Sequence, residues 1–301
     1  YLNGNMMVER MHSDPRIESV ELLLQEQVPV TAPLQHPESQ SIEGTARAAV
    51  QIVDIASWQE PLQAETPRVN LLSNGDYAVM ASSRGGGYST WKGVDLTRWR
   101  SDGTLDPWGT WVYLQEVSEG APRTASAPQY SAPWPATYLP IPDSVENVQT
   151  ATFAHMSVYR RMQHGISATT ELTISPDAPV EVRRVHLIND QGRARFLRLT
   201  SYGEVVLGAQ AGDMRHPAYS KMFVESGYVP ELHLQVFSRR GHGNEDQPAV
   251  MGHMLVVREH DDVTDPAAPV RHESDRMAFV GRGRTLRDPA ALSSPDYLTG
   301  T

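Results

Sequence analysis

Two arginines flank a tryptophan in the run Leu-Thr-Arg-Trp-Arg, which ends at Arg100. In an extended chain Arg98 and Arg100 share one face and Trp99 takes the other. An exposed indole ring can cover the apolar face of a sugar, while a guanidinium group binds hydroxyl, carboxylate or phosphate oxygens. The run therefore indicates sugar recognition. Structural ion pairing explains the arginines equally well, and the nearest carboxylates for it are Asp95, Asp102 and Asp106.

A glycine-rich turn precedes these arginines, with the sequence Arg84-Gly85-Gly86-Gly87-Tyr88-Ser89. Glycines allow a close backbone approach that side chains would block. No helix pattern follows, and the Gly-Lys-Ser/Thr ending is absent, so a phosphate-binding loop is excluded. A tight crossing between strands is favoured over ligand contact. The candidate substrate-binding residues of both segments are Gly86, Gly87, Tyr88, Ser89, Arg98, Trp99 and Arg100.

No complete catalytic constellation is visible in the sequence. The histidines show neither an HExxH motif nor paired spacing, and the Gly-x-Ser-x-Gly nucleophile motif is absent. Glycoside cleavage needs a carboxylic acid beside the scissile bond. Exposed positions along strands would explain the available carboxylates equally well: Glu171, Glu181, Glu204, Asp213 and Asp275. We therefore predict no catalytic residue, no metal site and no cofactor.

The composition narrows the class of protein. A net charge of −10 argues against a nucleic-acid partner, since binding phosphate backbones requires a basic face. The absence of cysteine excludes thiol catalysis and disulfides, and it fits a reducing compartment. No apolar run approaches the roughly 20 residues of a membrane helix, so no membrane contact by this chain is expected. The chain begins with Tyr1 rather than Met, which suggests a piece of a longer protein.

The elements that must position these residues fall into three regions. Residues 1–30 predict a helical tail, because apolar side chains recur there at helical spacing. Residues 31–67 are rich in Pro, Gln, Ser and Glu and predict a linker or arm. From residue 68 to residue 301 the apolar period changes to two, with turn signals between the segments. This region predicts a mainly β domain of many antiparallel strands.

Four local predictions can be compared with the structure. Asn74-Gly75 predicts a hairpin with a type I′ turn. A change in apolar parity predicts a β-bulge at Arg183-Arg184. Residues 276–280 are assigned to a strand, and the proline-rich loop at residues 120–143 is expected to pack on the sandwich without forming a central strand.

Residues 71–114 resemble the N-terminal β-supersandwich of the cellobiose-phosphorylase family, glycoside hydrolase family 94. The resemblance rests on the Gly86-Gly87-Tyr88-Ser89 turn, on Thr97-Arg98-Trp99-Arg100, and on Asp106-Pro107-Trp108-Gly109 before an aromatic strand. Segments downstream extend it to residue 301. The N-terminal run Arg10-Met11-His12-Ser13-Asp14-Pro15-Arg16 resembles the end of the domain that precedes the sandwich in cyclic β-1,2-glucan synthases.

The resemblance implies a large antiparallel β-supersandwich with a helical N-terminal tail. In the family an adjoining (α/α)₆ barrel carries the general-acid Asp, so this chain would be the non-catalytic sandwich of an inverting, phosphorylase-like enzyme. Implied partners are that barrel, a β-glucan oligosaccharide, phosphate and a second copy of the chain. The implied location is cytoplasmic, on the inner membrane's cytoplasmic side within a larger membrane protein. The alternative function is a stand-alone carbohydrate-binding or assembly module.

Overall fold

The computed structural model describes residues 57–60, 62, 67–100, 108–117, 130–241, 249–259, 262–264, 270–293, 298 and 300. The chain divides between residues 53 and 54, and every described residue belongs to the second unit. The predicted helical tail lies outside the described residues. So does most of the predicted linker, although its part near residue 58 forms a strand.

Strands account for most of the described structure. In chain order they are β1 (Trp58–Glu60), β2 (Val69–Ser73), β3 (Tyr77–Ser82), β4 (Gly87–Trp91), β5 (Val94–Thr97), β6 (Trp111–Val117), β7 (Trp134–Pro135), β8 (Val148–Thr152), β9 (Met156–Gln163), β10 (Ile166–Ile174), β11 (Glu181–Asn189), β12 (Phe196–Tyr202), β13 (Val205–Gly208), β14 (Val224–Val229), β15 (Leu234–Arg239), β16 (Val250–Met254), β17 (Val257–Glu259) and β18 (Asp262–Thr264).

The helices are short and lie between or after the strands. They are α1 (Gln210–Arg215), α2 (Pro217–Lys221), α3 (Arg276–Val280) and α4 (Ala290–Ser293), with 3₁₀ turns at Val145–Asn147 and Pro230–Leu232. Among the described residues, no helix has the length and hydrophobicity needed to cross a bilayer.

The strands form antiparallel sheets throughout. One five-stranded sheet has the order β1-β8-β9-β10-β11, and a second has the order β13-β5-β4-β3-β2. Smaller sheets have the orders β12-β6-β7, β14-β15-β16 and β17-β18. The predicted mainly β, antiparallel architecture is confirmed.

Three apolar clusters form the core. The first joins Trp111 and Tyr113 of β6 to the C-terminal helices through Phe279, Val280 and Leu292. The second lies between the β2–β5 strands and β10, around Val79 and Leu172. The third surrounds Leu114 and Trp134. Trp134 is only 2% exposed, so the described part of the proline-rich loop packs on the sandwich at an edge strand, as predicted.

The β2–β3 hairpin forms where the sequence predicts it, but with a different turn. Asn74 pairs with Tyr77 through a 3.1 Å backbone bond, so Gly75 and Asp76 are the central residues. Of these, only Gly75 has a positive φ, at 101°. That pattern is typical of a type II′ turn rather than type I′. The Asn74 side chain instead donates to the backbone oxygens of Ser175 and Ala178.

The predicted bulge at Arg183-Arg184 is wrong. The nine residues of β11 pair with β10 in one unbroken register. The apolar residues of β11 change faces along the strand for a different reason. At the start of the strand the inward-facing positions are occupied by polar residues rather than apolar ones. Glu181 and Arg183 point into the protein, while Val182 is 46% exposed.

The strand assignment for residues 276–280 is also wrong, because these residues form α3. The Asp275 carboxylate accepts a 2.7 Å hydrogen bond from the backbone N–H of Met277, which caps the helix. Gly281 ends it at a φ of 88°. A five-residue apolar run does not distinguish a helix from a strand by period alone.

Candidate functional site

The glycine turn before β4 is a close crossing of backbone segments. The backbone N–H of Gly87 donates to the carbonyl of Trp108 at 2.9 Å. A Cβ atom at Gly87 would lie 1.9 Å from the Met80 carbonyl oxygen, and one at Gly86 would lie 2.9 Å from the Trp108 oxygen. Packing within the protein therefore accounts for the need for glycine here.

Ser89 follows on β4 with its side chain buried, at 2% exposure. Its hydroxyl donates to a carboxylate oxygen of Glu181 on β11, and the Tyr77 hydroxyl donates to the same oxygen at 3.2 Å. The Arg183 guanidinium binds the other oxygen. Burial raises the pKa of Glu181, but Arg183 and the hydrogen bonds outweigh it and lower the pKa below its ordinary value. Ser89 therefore helps to hold a buried carboxylate in its ionised form.

Arg98 is buried in a charge cluster that begins at the end of β5. Its guanidinium donates two bonds to the Asp213 carboxylate, one of them at 2.7 Å, and a third to Glu204 at 2.7 Å. Burial lowers the pKa of Arg98, but these two carboxylates outweigh it and raise the pKa. Of the three carboxylates expected from the sequence, Asp102 and Asp106 lie outside the described residues. Ion pairing is confirmed for Arg98, although with carboxylates far away in sequence.

Glu204 connects the buried side of this cluster to the surface. Besides Arg98, its carboxylate accepts bonds from Arg276 at 2.5 Å and from the Tyr202 hydroxyl at 3.0 Å, and Lys221 lies 3.8 Å away. Burial raises the pKa of Glu204, but these cations outweigh it and keep the pKa below its ordinary value. We call Arg98, Glu204, Asp213, Lys221 and Arg276 the interior cluster.

Aromatic side chains lie on the surface beside this cluster. The rings of Tyr88 and Trp99 are stacked, with centroids 5.5 Å apart. The Arg100 guanidinium lies 5.8 Å from the centroid of Trp108, and all four residues are half-buried. Arg100 Nε and Trp108 Nε1 are themselves buried, and within the part of the chain that the structure describes neither atom has a hydrogen-bond partner. We call Tyr88, Trp99, Arg100 and Trp108 the aromatic patch.

The aromatic patch has the chemistry of a sugar-binding surface. Its rings can cover an apolar sugar face, and the terminal nitrogens of the Arg100 guanidinium are of the type that binds hydroxyl oxygens. The seven predicted substrate-binding residues therefore divide by position. Tyr88, Trp99 and Arg100 reach the surface, whereas Gly87, Ser89 and Arg98 are buried beneath them and Gly86 packs against Trp108.

The candidate carboxylates are bound in structural contacts. Glu181, Glu204 and Asp213 are in the ion pairs above, Glu171 pairs with Arg184, and Asp275 caps α3. A general acid for glycoside cleavage needs a raised pKa. Asp95 has one, because of burial and the nearby Asp213 charge. Its neighbour Asp213 is held by Arg98, so these two do not form an available acid–base pair.

Metal binding has no visible basis in the described residues, which contain no group of three His, Cys, Asp or Glu side chains that could hold an ion.

A cavity of about 200 Å³ is lined by Gln115, Tyr130, Ser131, Ala132, Pro133, Asp288, Leu292 and Ser293. None of these belongs to the predicted set.

Sequence reasoning missed the partners that define the interior cluster. Glu204 and Asp213 lie 106 and 115 residues from Arg98 along the chain, and no local spacing signals such a pair. It also missed Trp108 as a patch residue, although Trp108 belongs to a segment that carries the family resemblance. The Ser201 hydroxyl and His253 Nε2, 2.8 Å apart, were likewise not foreseen.

Comparison with known proteins decides the family. A model of the glycosyl hydrolase 94 supersandwich domain matches residues 55–301, which is most of the chain. The chain belongs to this family. The supersandwich resemblance inferred from the sequence is confirmed, and the match begins just before β1.

The supersandwich also has a curated relative. It is 33% identical over 307 residues to the cyclic beta-(1,2)-glucan synthase NdvB of Rhizobium meliloti (strain 1021). The alignment covers 99% of this chain and 10% of that protein. This chain therefore spans about a tenth of the length of the relative it matches.

Proposed function

We propose that this chain is the non-catalytic supersandwich domain of an enzyme that processes β-glucan, inverting and phosphorylase-like in its chemistry. The observation that carries the proposal is the alignment of nearly the whole chain with a small segment of a cyclic beta-(1,2)-glucan synthase. By this reading the chain is part of a similar synthase, a larger membrane enzyme with its catalytic site in the cytoplasm.

The contacts of the carboxylates support a non-catalytic role. Glu181 and Glu204 are held ionised by arginine partners, which is the opposite of what a general acid requires. The interior cluster instead gives the sandwich rigid charged contacts across distant segments. A rigid sandwich suits the support of an adjoining (α/α)₆ barrel, which would carry the catalytic Asp and the phosphate site.

Within this role, the aromatic patch is the proposed sugar contact. Tyr88, Trp99 and Arg100 would touch the glucan, with Trp99 covering a glucose ring. Gly86, Gly87, Ser89 and Arg98 would act by holding these side chains in place. The half-burial of Tyr88, Trp99 and Arg100 supports this division, because part of each of these side chains stays exposed to a ligand.

Calorimetric titration of the 301-residue chain with a β-1,2-linked gluco-oligosaccharide tests the sugar contact. We expect Trp99→Ala to weaken binding by about tenfold, which is about 1.4 kcal/mol. Trp58→Ala is the matched control, because Trp58 is 54% exposed on β1 and lies outside the patch. Equal affinities for both variants and the unmodified chain would contradict the assignment.

The non-catalytic role has its own test. We expect the chain to release neither reducing sugar nor glucose 1-phosphate from β-1,2-gluco-oligosaccharides with inorganic phosphate. The native enzyme that contains this chain should be active in the same assay. Sustained turnover by the chain alone, abolished by a change at one carboxylate such as Glu204→Gln, would favour a sandwich that is itself a hydrolase or lyase.

The alternative is a stand-alone carbohydrate-binding module. It is favoured by one observation, namely that all four residues of the aromatic patch belong to this chain. Immunoblotting of source cells separates the two. A native species far larger than 33.4 kDa in the membrane fraction supports the enzyme domain, and a species of 33.4 kDa supports the module.

A further inference from the structure

The outer face of the sheet β13-β5-β4-β3-β2 carries a row of apolar side chains that ends at the aromatic patch. Leu71 of β2 lies directly opposite Met80 of β3, and Met80 lies directly opposite Tyr88 of β4. Directly opposed residues of antiparallel strands point to the same face of a sheet, so these three side chains are neighbours. The stacking of Tyr88 on Trp99 joins the row to the aromatic patch.

This row lies on the side of the sheet that does not form the core. The intervening residues Leu72 and Val79 face the second core cluster and are 2% and 1% exposed. Leu71, by contrast, is 72% exposed, and Met80 and Tyr88 are half-buried. Adjacent strands are about 4.8 Å apart, so the row extends for about 10 Å from Leu71 to Tyr88. It therefore offers a ligand a longer apolar surface than the aromatic rings alone.

Polar side chains lie beside the row on the same face of the sheet. Thr90 is two residues from Tyr88 on β4, and Asp95 of β5 lies directly opposite Thr90. Both are half-buried, so part of each residue stays exposed. Among the described residues, the Asp95 carboxylate takes part in no hydrogen bond or ion pair. Its oxygens are therefore available to accept hydrogen bonds from hydroxyl groups.

An apolar row with hydroxyl and carboxylate groups along one side suits a sugar chain. The C–H groups of a sugar ring form an apolar face, and its hydroxyl groups lie around the edge of the ring. The open face of β14-β15-β16 differs, because it exposes Val250 and Met254 and has no aromatic side chain among its described residues. Continuity with the aromatic patch thus distinguishes the outer face of β2–β5 from this other exposed apolar face.

We propose that the aromatic patch is one end of a longer binding surface, which holds an oligosaccharide of several β-linked glucose residues across β4, β3 and β2. One glucose residue lies on Trp99, and the following residues lie on Met80 and Leu71, with hydroxyl groups on one side facing Asp95. This inference rests on the sugar contact proposed above for the aromatic patch. It adds the length of the ligand and its direction across the strands.

The dependence of affinity on chain length is the first test. The 301-residue chain is titrated calorimetrically with two β-1,2-linked glucose oligomers, the disaccharide and the pentasaccharide. We expect the pentasaccharide to bind about tenfold more tightly, because only the longer ligand reaches Met80 and Leu71. Equal affinities for the two oligomers would overturn the proposal.

A substitution at the far end of the row tests its position. Leu71→Ser should weaken binding of the pentasaccharide by about fivefold, which is about 1 kcal/mol, and leave binding of the disaccharide unchanged. Ile188→Ser is the matched control, because Ile188 is 60% exposed on β11 of the other five-stranded sheet. Both side chains lie mainly outside the core, and circular dichroism establishes that each variant is folded.

Trp99→Ala separates this proposal from the sugar contact on which it rests. We expect this variant to bind both oligomers more weakly. If it does so while Leu71→Ser behaves like Ile188→Ser, the aromatic patch binds sugar but its extension across the sheet is overturned. If Trp99→Ala binds both oligomers as tightly as the unmodified chain, the sugar contact itself is wrong and the extension is overturned with it.

Discussion

Arg98 and Arg100 are separated by one residue, yet they belong to two different regions of the molecule. Arg98 is 5% exposed and donates three bonds to Asp213 and Glu204 in the interior cluster. Arg100 lies in the aromatic patch. The Trp108 ring of the aromatic patch is near both side chains, with the two guanidinium carbons 5.9 and 5.8 Å from its centroid.

This difference shows how one short segment can serve both folding and recognition. Buried carboxylates accept three hydrogen bonds from the Arg98 guanidinium, so its side chain is fixed by the fold. Arg100 is only half-buried, so part of its side chain stays exposed to a ligand. Substitutions that probe the two regions should therefore separate stability from sugar binding.

The largest expected effect is that of Arg98→Met. Removing the guanidinium leaves Asp213 buried without its arginine partner and removes one of the cations bound to Glu204, and such a loss costs about 3–5 kcal/mol of unfolding free energy. Arg100→Met is the matched control and should cost less than about 1 kcal/mol. Urea denaturation monitored by tryptophan fluorescence measures both. Equal losses would remove the distinction between the two regions.

The next effect concerns the glycine turn beneath the aromatic patch. Gly87→Ala should lower the unfolding free energy by about 2–4 kcal/mol, because the new methyl group meets the Met80 carbonyl and the backbone has a positive φ. Gly75→Ala should cost only about 1 kcal/mol, since nothing lies within 4 Å of its Cβ position. Thermal melts compare the two. A Gly87→Ala variant as stable as Gly75→Ala would show that the crossing is loose.

A smaller effect on stability is expected for Trp99→Ala. The lost stacking on Tyr88 should cost about 1–2 kcal/mol, because the indole ring is only half-buried. Its effect on sugar affinity should exceed that of Trp58→Ala, because Trp58 lies outside the aromatic patch. Paired denaturation and titration measurements on one preparation provide the comparison. A Trp99→Ala variant that fails to fold would show that Trp99 is needed for the fold rather than for sugar recognition.

The smallest expected effect is the change in unfolding free energy with pH, and near neutral pH it comes from His253. Burial and the nearby Arg183 lower its pKa below the ordinary 6.5, so the folded protein binds fewer protons than the unfolded chain below that pH. The unfolding free energy should therefore begin to fall as the pH drops below 6.5. A steeper fall should follow below pH 4.5, because the pKa values of Glu181 and Glu204 are lowered in the folded state.

Denaturation at a series of pH values checks this order of events. His253→Gln should remove the first decline and leave the second, while Glu181→Gln should reduce the second. A first decline that persists in His253→Gln would assign it to another group.

The sequence predicts those parts of the fold that depend on residues close together along the chain. The β2–β3 hairpin follows from one glycine in a short polar turn, and the Pro-rich loop follows from missing N–H donors. The α3 helix could also have been found locally, because Asp275 is a typical capping residue before an apolar run. The predicted strand there ignored that cap in favour of a short apolar pattern.

Other features depend on contacts that no local pattern encodes. The inward-facing side of β11 begins with Glu181 and Arg183, whose burial is possible only because Ser89 and Tyr77 of other strands meet them. A prediction that places every apolar residue on the inner face therefore assigns the start of this strand to the wrong face. The partners of Arg98 lie more than a hundred residues away, so the sequence could predict an ion pair but not its members.

The C-terminal helices contribute a large part of the first core cluster. The Tyr113 hydroxyl donates to the Leu286 carbonyl at 2.8 Å, and Gln115 donates to the Leu292 carbonyl at 2.9 Å. Phe279 stacks on Tyr202 at 4.6 Å. An exchange of sandwiches between related enzymes must therefore transfer residues 276–293 together with the strands. A crossover point placed before Arg276 would join two mismatched halves of one core, even though the strand count of the hybrid would look complete.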